Sequence, residues 1–234
     1  ERSAAYMACG LAEASGEPVI ISCTGATSAR EYMSGLTEAY YRKLPVLAIT
    51  STQDISRVGH LIAQVTDRSA RPNDIVMESV HLQKIKDKTD EWDCMIKINK
   101  ALQALTRHGG GPSHINLTTT YCKDYSVKEL PQVNKIEYYT YPDILPALPS
   151  GKIAVFIGAH NVWTAQATKA LDDFCSCHNA VVFCDHCSNY RGKYRVLNSL
   201  IGLQTAYHSP LLDIDLLIHI GEISGAYDAF AFRP

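Results

Sequence analysis

Two short apolar runs constrain the fold of this chain more than anything else in it. Val19-Ile20-Ile21-Ser22-Cys23 is entered through Pro18 and left at Thr24-Gly25, and Val46-Leu47-Ala48-Ile49-Thr50 is entered through Pro45. A run this short, apolar and bounded by breakers reads as a strand buried on both faces, which is the signature of a parallel sheet. Each run follows a stretch of helical spacing. Ala4, Met7, Ala8, Leu11 and Ala12 predict a helix over residues 3–15, closed by Gly16-Glu17-Pro18. Residues 27–42 predict a second helix between the two strands. Parallel neighbours must be joined by such a crossover, so the fold class is α/β.

The same alternation continues down the chain. Residues 54–72 are polar and irregular. Trp92, Met95, Ile96, Asn99, Leu102 and Leu105 share related faces and predict a helix over 92–106, stopped by His108-Gly109-Gly110-Gly111-Pro112. A strand is expected at 114–117. Residues 121–150 carry Pro131, Pro142, Pro146 and Pro149 with little periodicity, and read as a surface linker. A second alternation then begins: strand 153–157, helix 163–174, strand 180–184, helix 194–203, strand 216–220. The expected organisation is one domain at 1–120, a linker at 121–150 and a second domain at 151–234.

Composition narrows the function classes. The chain is 46% hydrophobic and 20% charged with a formal net charge of −2, which gives no footing for a nucleic-acid or membrane-surface partner. It shows no apolar run long enough to span a bilayer and no secretory leader. Of the eight cysteines, Cys9, Cys23, Cys94 and Cys122 stand singly, and Cys175, Cys177, Cys184 and Cys187 cluster. That spacing is not a disulfide scaffold, and a reduced, cytoplasmic compartment is expected. The cluster, with His178 and His186, invites a zinc reading. Its first pair is separated by one residue rather than two, and Cys184 closes a strand where a thiol packs as a small hydrophobe. No metal site is therefore expected. Gly158, Gly221 and Gly225 follow strands without completing a dinucleotide fingerprint. His60, His81, His108, His114, His160 and His208 are scattered and read as structural or surface groups. Residues 84–88 are a mixed charge run, read as a solvated face.

A more specific pattern lies in the first sixty residues: Glu1, Ala4-Ala5, Met7-Ala8, Gly10-Leu11-Ala12, Gly16-Glu17-Pro18, Thr24-Gly25-Ala26-Thr27, Gly35 through Tyr40, and Leu44 through Thr50. It resembles the pyrimidine-binding domain of the thiamine-diphosphate enzymes of the pyruvate oxidase and decarboxylase superfamily. Gly111 through Leu117 resembles the strand that closes that domain, and 151–234 resembles the family's Rossmann-like middle domain. The start Glu1-Arg2-Ser3-Ala4 is most similar to the menaquinone-pathway branch, the 2-succinyl-5-enolpyruvyl-6-hydroxy-3-cyclohexene-1-carboxylate synthases.

The resemblance implies an enzyme that makes or breaks carbon–carbon bonds next to a carbonyl, with a 2-keto acid donor. Glu1 would be its catalytic carboxylate, hydrogen-bonded to the aminopyrimidine ring nitrogen of thiamine diphosphate. Thr24, Gly25, Ala26 and Thr27 would contact that end of the cofactor, and Gln53 and Gln64 would line the substrate entrance. Read without the resemblance, Glu1 is a solvated first-turn glutamate and Gly25 an ordinary turn glycine. The family anchors the diphosphate through Mg2+ held by a Gly-Asp-Gly run, and no such run occurs here. The family's first strand and helix also lack a counterpart before Glu1. The expectation is an internal, truncated segment, inactive alone, of a homodimer or tetramer whose active sites form between subunits. The alternative is a non-catalytic pyrimidine-domain subunit or regulatory module.

Overall fold

The computed structural model describes residues 1–68, 74–197 and 213–222. The chain divides into two compact units, Glu1–Asp143 and Ile144–Pro234. In the first, the strands β1 (Val19–Cys23), β2 (Val46–Thr52), β3 (Glu78–Leu82) and β4 (Ser113–Thr118) form one sheet in the order β1-β2-β4-β3. Every neighbouring pair is parallel. Helix α1 (Arg2–Ser15) precedes β1, α2 (Ala26–Glu31) and α3 (Met33–Arg42) link β1 to β2, and α4 (Lys88–Ala104) links β3 to β4.

Strand alternation sorts the core onto two faces. Val46 and Ala48 of β2 pack with Ala5, Ala8 and Ala12 of α1 and with Leu36 and Ala39 of α3. Leu47, Val80, Leu82 and Ile115 pack with Cys94, Ala101 and Leu105 on the α4 side. The α-helical alanines allow close approach. At Gly35 a Cβ would lie 2.5 Å from the Cβ of Ala5 and 2.9 Å from its carbonyl carbon, so α3 crosses α1 where neither carries bulk. At the far end of α1, Gly16 adopts φ 70° and its N–H closes the helix on the Ala12 carbonyl.

The structure departs from the sequence expectation at three places here. Residues 27–42 form two helices, not one. The break is Tyr32, whose buried side chain reaches the end of β1 and donates to the Ser22 carbonyl at 2.6 Å. Helix α4 starts earlier than 92, because Asp87 caps it by accepting from the backbone N–H groups of Thr89 and Asp90, both at 2.9 Å. Part of the charge run 84–88 is thus a helix start. Strand β3 was not expected, since only Val80 and Leu82 of its five residues are apolar and both face α4.

Residues 121–150 contain no helix or strand. Part of the segment is nevertheless held on the first unit by side chains one helical turn apart. Asn99 donates to the Asn134 carbonyl at 3.3 Å and accepts from the Ile136 N–H at 2.8 Å. Gln103 donates to the Ile136 carbonyl at 3.1 Å. The Arg107 guanidinium lies 3.6 Å from the Tyr138 ring centroid. Contacts from Asn99, Gln103 and Arg107 thus follow the segment from 134 to 138.

In the second unit β5 (Ile153–Ile157), β6 (Val181–Cys184), β7 (Arg195–Leu197) and β8 (Leu216–Ile220) form a parallel sheet in the order β7-β6-β5-β8. Helix α5 (Ala165–His178) crosses from β5 to β6, capped by Thr164 and closed at Asn179 with φ 49°. The helix expected at 194–203 is corrected. Arg195–Leu197 is strand, pairing with Val182–Cys184 of β6, and 198–203 lie outside the described residues. Gly158 is explained by packing, since a Cβ there would sit 2.0 Å from the Glu222 carbonyl oxygen. Gly221 turns at φ 83°, and Gly225 lies outside the described residues. Cys175 and Cys184 are buried in this core, while Cys177 and Cys187 are exposed. No group of three or more His, Cys, Asp or Glu side chains converges on a metal position among the described residues. None of the described helices is long and apolar enough to cross a membrane.

Gly35→Ala should lower stability by about 1–3 kcal/mol through overpacking against α1, read from urea unfolding, and Ala5→Gly in the same chain should recover part of the loss. Asn99→Ala should cost about 1 kcal/mol, since the two hydrogen bonds to residues 134 and 136 are lost while those exposed backbone groups can turn to water. It should also speed protease cleavage within 121–150, and unchanged cleavage would show that the docking does not protect the segment.

Candidate functional site

Because all strands of the first sheet are parallel, their carboxyl ends share one edge, where open α/β sheets gather ligands. The Thr24-Gly25-Ala26-Thr27 turn leaves that edge after β1. Gly25 precedes α2 with φ 8° and ψ 177°, and its carbonyl accepts from the Ala29 N–H. Thr24 and Thr27 are exposed, whereas Ala26 is buried and packs inward. The turn therefore offers backbone at Gly25 and two hydroxyls outward.

Glu1 stands at the start of α1, exposed, with no hydrogen bond from its side chain back to the helix. Its charge reaches the end of β1, where it acts on both Cys23 and Tyr32. Those two side chains act on each other's ionisation as well. Burial pushes the Cys23 thiol up, against smaller opposing effects of Tyr32 and Arg68. Burial likewise pushes the Tyr32 phenol up to about 12, with Cys23 and Glu1 adding to it. Both groups are neutral near pH 7 and present Glu1 with an uncharged wall.

The two glutamines separate. Gln64, with φ 63°, lies over the turn, and a Cβ at Gly25 would meet its Oε1 at 3.1 Å. Gln53 follows β2 instead and accepts from Arg57 at 2.7 Å. It lines a cleft of about 440 Å³ with Asp54, Arg57 and residues 119–121 after β4. Sequence reasoning missed Arg68 altogether. It is 5% exposed and donates to the Gly25 carbonyl at 3.2 Å and to the Ser51 carbonyl, so it bridges the ends of β1 and β2. Burial lowers its pKa. No signal marked it, because its partners are backbone atoms distant in sequence.

A polar chain on the sheet face away from α4 was also missed. His114, buried to 2% exposure, lies 2.9 Å from Ser79 Oγ through Nδ1 and 2.9 Å from Thr50 Oγ1 through Nε2. Thr50 donates to Asn116 at 2.9 Å, Asn116 reaches His81 Nδ1 at 2.9 Å, and His81 Nε2 reaches Thr118 at 3.2 Å. One assignment, with each group donating to the next from Ser79 to Thr118 and both imidazoles neutral, satisfies all five contacts. The two histidines are thus structural, in line with the sequence reading. The signal was present as alternation: Ser79/His81 and His114/Asn116/Thr118 are polar at every second residue.

Residues 1–71 match the family model described as thiamine pyrophosphate enzyme, N-terminal TPP binding domain. The match is to the thiamine pyrophosphate enzymes. Curated relatives agree with it. A 2-succinyl-5-enolpyruvyl-6-hydroxy-3-cyclohexene-1-carboxylate synthase of Bacteroides thetaiotaomicron is 34% identical over 140 residues, covering 59% of this chain and 25% of that protein. The synthases of the same name from Porphyromonas gingivalis and Staphylococcus haemolyticus are each 26% identical, over 94% and 95% of this chain and 40% and 41% of their own length. The chain thus spans a quarter of the first relative and two fifths of the other two. The resemblance read from Glu1 through Thr50 is borne out, as is the α/β fold class.

The residues at the β1 edge fit the aminopyrimidine end of thiamine diphosphate. A carboxylate beside neutral groups suits a flat ring bearing hydrogen-bonding nitrogens, and the Gln64 side chain occupies the space over Gly25. The described residues offer no acidic cluster for the diphosphate and its metal.

Thiol labelling reads the burial pattern directly. Cys122, Cys177 and Cys187 should react in a fast phase. Cys9, Cys94, Cys175 and Cys184 should react only on unfolding, since burial both covers them and raises their pKa. A fifth fast thiol, beyond Cys23 of intermediate exposure, would contradict the packing described.

Proposed function

We propose that this chain supplies the pyrimidine-facing half of a thiamine-diphosphate-dependent enzyme that makes or breaks a carbon–carbon bond next to a carbonyl, with a 2-keto acid as donor. The observation that supports this reading is that the Glu1 charge acts on Cys23 and Tyr32 at the end of β1, next to the Gly25 turn, inside the stretch that matches the family. The relatives are named as synthases, which supports bond making over simple cleavage.

Thiamine diphosphate, when bound, supplies an electron sink for the carbon next to the carbonyl. The chain's own contribution is positional and electrostatic. Glu1 holds a proton against the aminopyrimidine ring nitrogen, a charge-assisted hydrogen bond that strengthens as water leaves the cleft. Neutral Cys23 and Tyr32 add no charge that would compete with it. Thr24 and Thr27 would offer hydroxyls beside the ring, and Gln64 would cover the Gly25 turn between them. Gln53 and Gln64 lie on the substrate side. The reading assigns the diphosphate and Mg2+ to protein outside these 234 residues, in a cytoplasmic homodimer or tetramer with sites between subunits.

Titration calorimetry tests that division. The chain alone should not bind thiamine diphosphate and Mg2+ tightly, and tight binding would overturn it. In the enzyme that contains both halves, Glu1→Gln should reduce kcat by about 10²–10⁴ while KM for the 2-keto acid changes little. Unchanged turnover would remove Glu1 from the chemistry. Failure of the complete protein to turn over any 2-keto acid would favour the regulatory-module reading.

A further inference from the structure

A guanidinium carries five N–H donors and a permanent charge. Arg68 is 5% exposed, yet its hydrogen bonds among the described residues go to two acceptors, the carbonyls of Gly25 and Ser51. Neither acceptor is charged. Among the described residues Arg68 forms no ion pair, whereas Arg2 and Arg42 both do. Residues 69–73, which follow it, include no Asp or Glu. A second cation, Arg30, acts on it and, after burial, lowers its pKa. A buried charge with no counter-ion is expensive, and proteins hold one where an anion completes it.

We propose that Arg68 is the anion-receiving residue of this site, taking the carboxylate of the 2-keto acid donor between the ends of β1 and β2, with the Gln64 amide beside it. The proposal rests on the reading of the site given above and adds its specificity-determining group. Location supports it. The carbonyls that Arg68 bridges belong to the turn at Gly25 and the end of β2, so a carboxylate on its free N–H groups lies beside the position assigned to the aminopyrimidine. Guanidinium and carboxylate pair through two parallel hydrogen bonds, which would orient the keto carbon as well as hold the acid. Gln64 is exposed and lies over Gly25, where its amide can share the anion.

The test is binding by the 234-residue chain, with pyruvate as the acid and pyruvamide as its uncharged counterpart, followed by ligand-observed NMR. Pyruvate should bind and pyruvamide should not, and Arg68→Met should weaken pyruvate at least tenfold. Because that variant removes two bridging hydrogen bonds, a measurement on the wild-type chain stands beside it. The protected Nε–H resonance of Arg68, assigned through its loss in Arg68→Lys, should shift with pyruvate and not with pyruvamide. Equal binding of the two ligands, undiminished pyruvate binding in a folded Arg68→Met, or an unmoved Nε–H resonance at saturating pyruvate would each overturn the proposal. None of these readouts involves the cofactor. They therefore fail separately from the Glu1 experiment, which alone judges the thiamine reading.

Discussion

Parallel pairing is the constraint on which the first unit depends. Val19↔Val46 and Leu47↔Ser113 fix three strands in one direction, and β3 joins β4 in the same sense. Direction alone then decides where chemistry is possible, because the loops after β1, β2 and β4 must emerge together. The Gly25 turn, Ser51, Gln53 and the residues after Thr118 are widely separated in sequence, yet they share one edge for this reason. The helices serve that arrangement. Small residues along α1 and α3 let both lie close on β1 and β2, and α4 covers the opposite face.

The two faces of that sheet are held differently. Toward α4 the strands present Leu47, Val80, Leu82 and Ile115, a non-directional apolar layer. On the other face the hydrogen-bonded chain from Ser79 to Thr118 ties β2, β3 and β4 through side chains. Such a network tolerates only one strand register, since a shift by one residue would put each polar group against the apolar layer. The sheet is thus cemented on one side and keyed on the other.

Much of this was legible in the sequence, and the misses have physical causes. The bounds of β1, β5 and β8 were read correctly because each is a short apolar run between breakers, and α1 because its apolar positions recur and Gly16 ends it. Tyr32 was read as mid-helix because its backbone stays helical, at φ −72° and ψ −20°, and local pattern holds nothing to mark the junction of α2 and α3. Strand β3 escaped because half of it is polar on purpose, facing His114 and Asn116. Glu1 and the Gly25 turn were singled out by motif alone. Gln53 and Gln64 were grouped by their places in the family pattern, and the fold sets Gln64 over the Gly25 turn and Gln53 after β2. Arg68 left no trace because its hydrogen-bond partners are carbonyl oxygens, which every residue has.

The crossing of α1 and α3 reaches further than packing. Ala5 lies one turn from Glu1 and donates the helix's first hydrogen bond to it, its N–H meeting the Glu1 carbonyl at 3.0 Å. The absent side chain of Gly35 therefore sets how deeply the first turn of α1 sits, and with it the height of the Glu1 carboxylate over the end of β1. Gly35 has no functional group and touches nothing at the strand edge, yet it acts as the depth stop for the residue that does. A side chain at position 35 would be felt in the seat of that first turn as well as in the core.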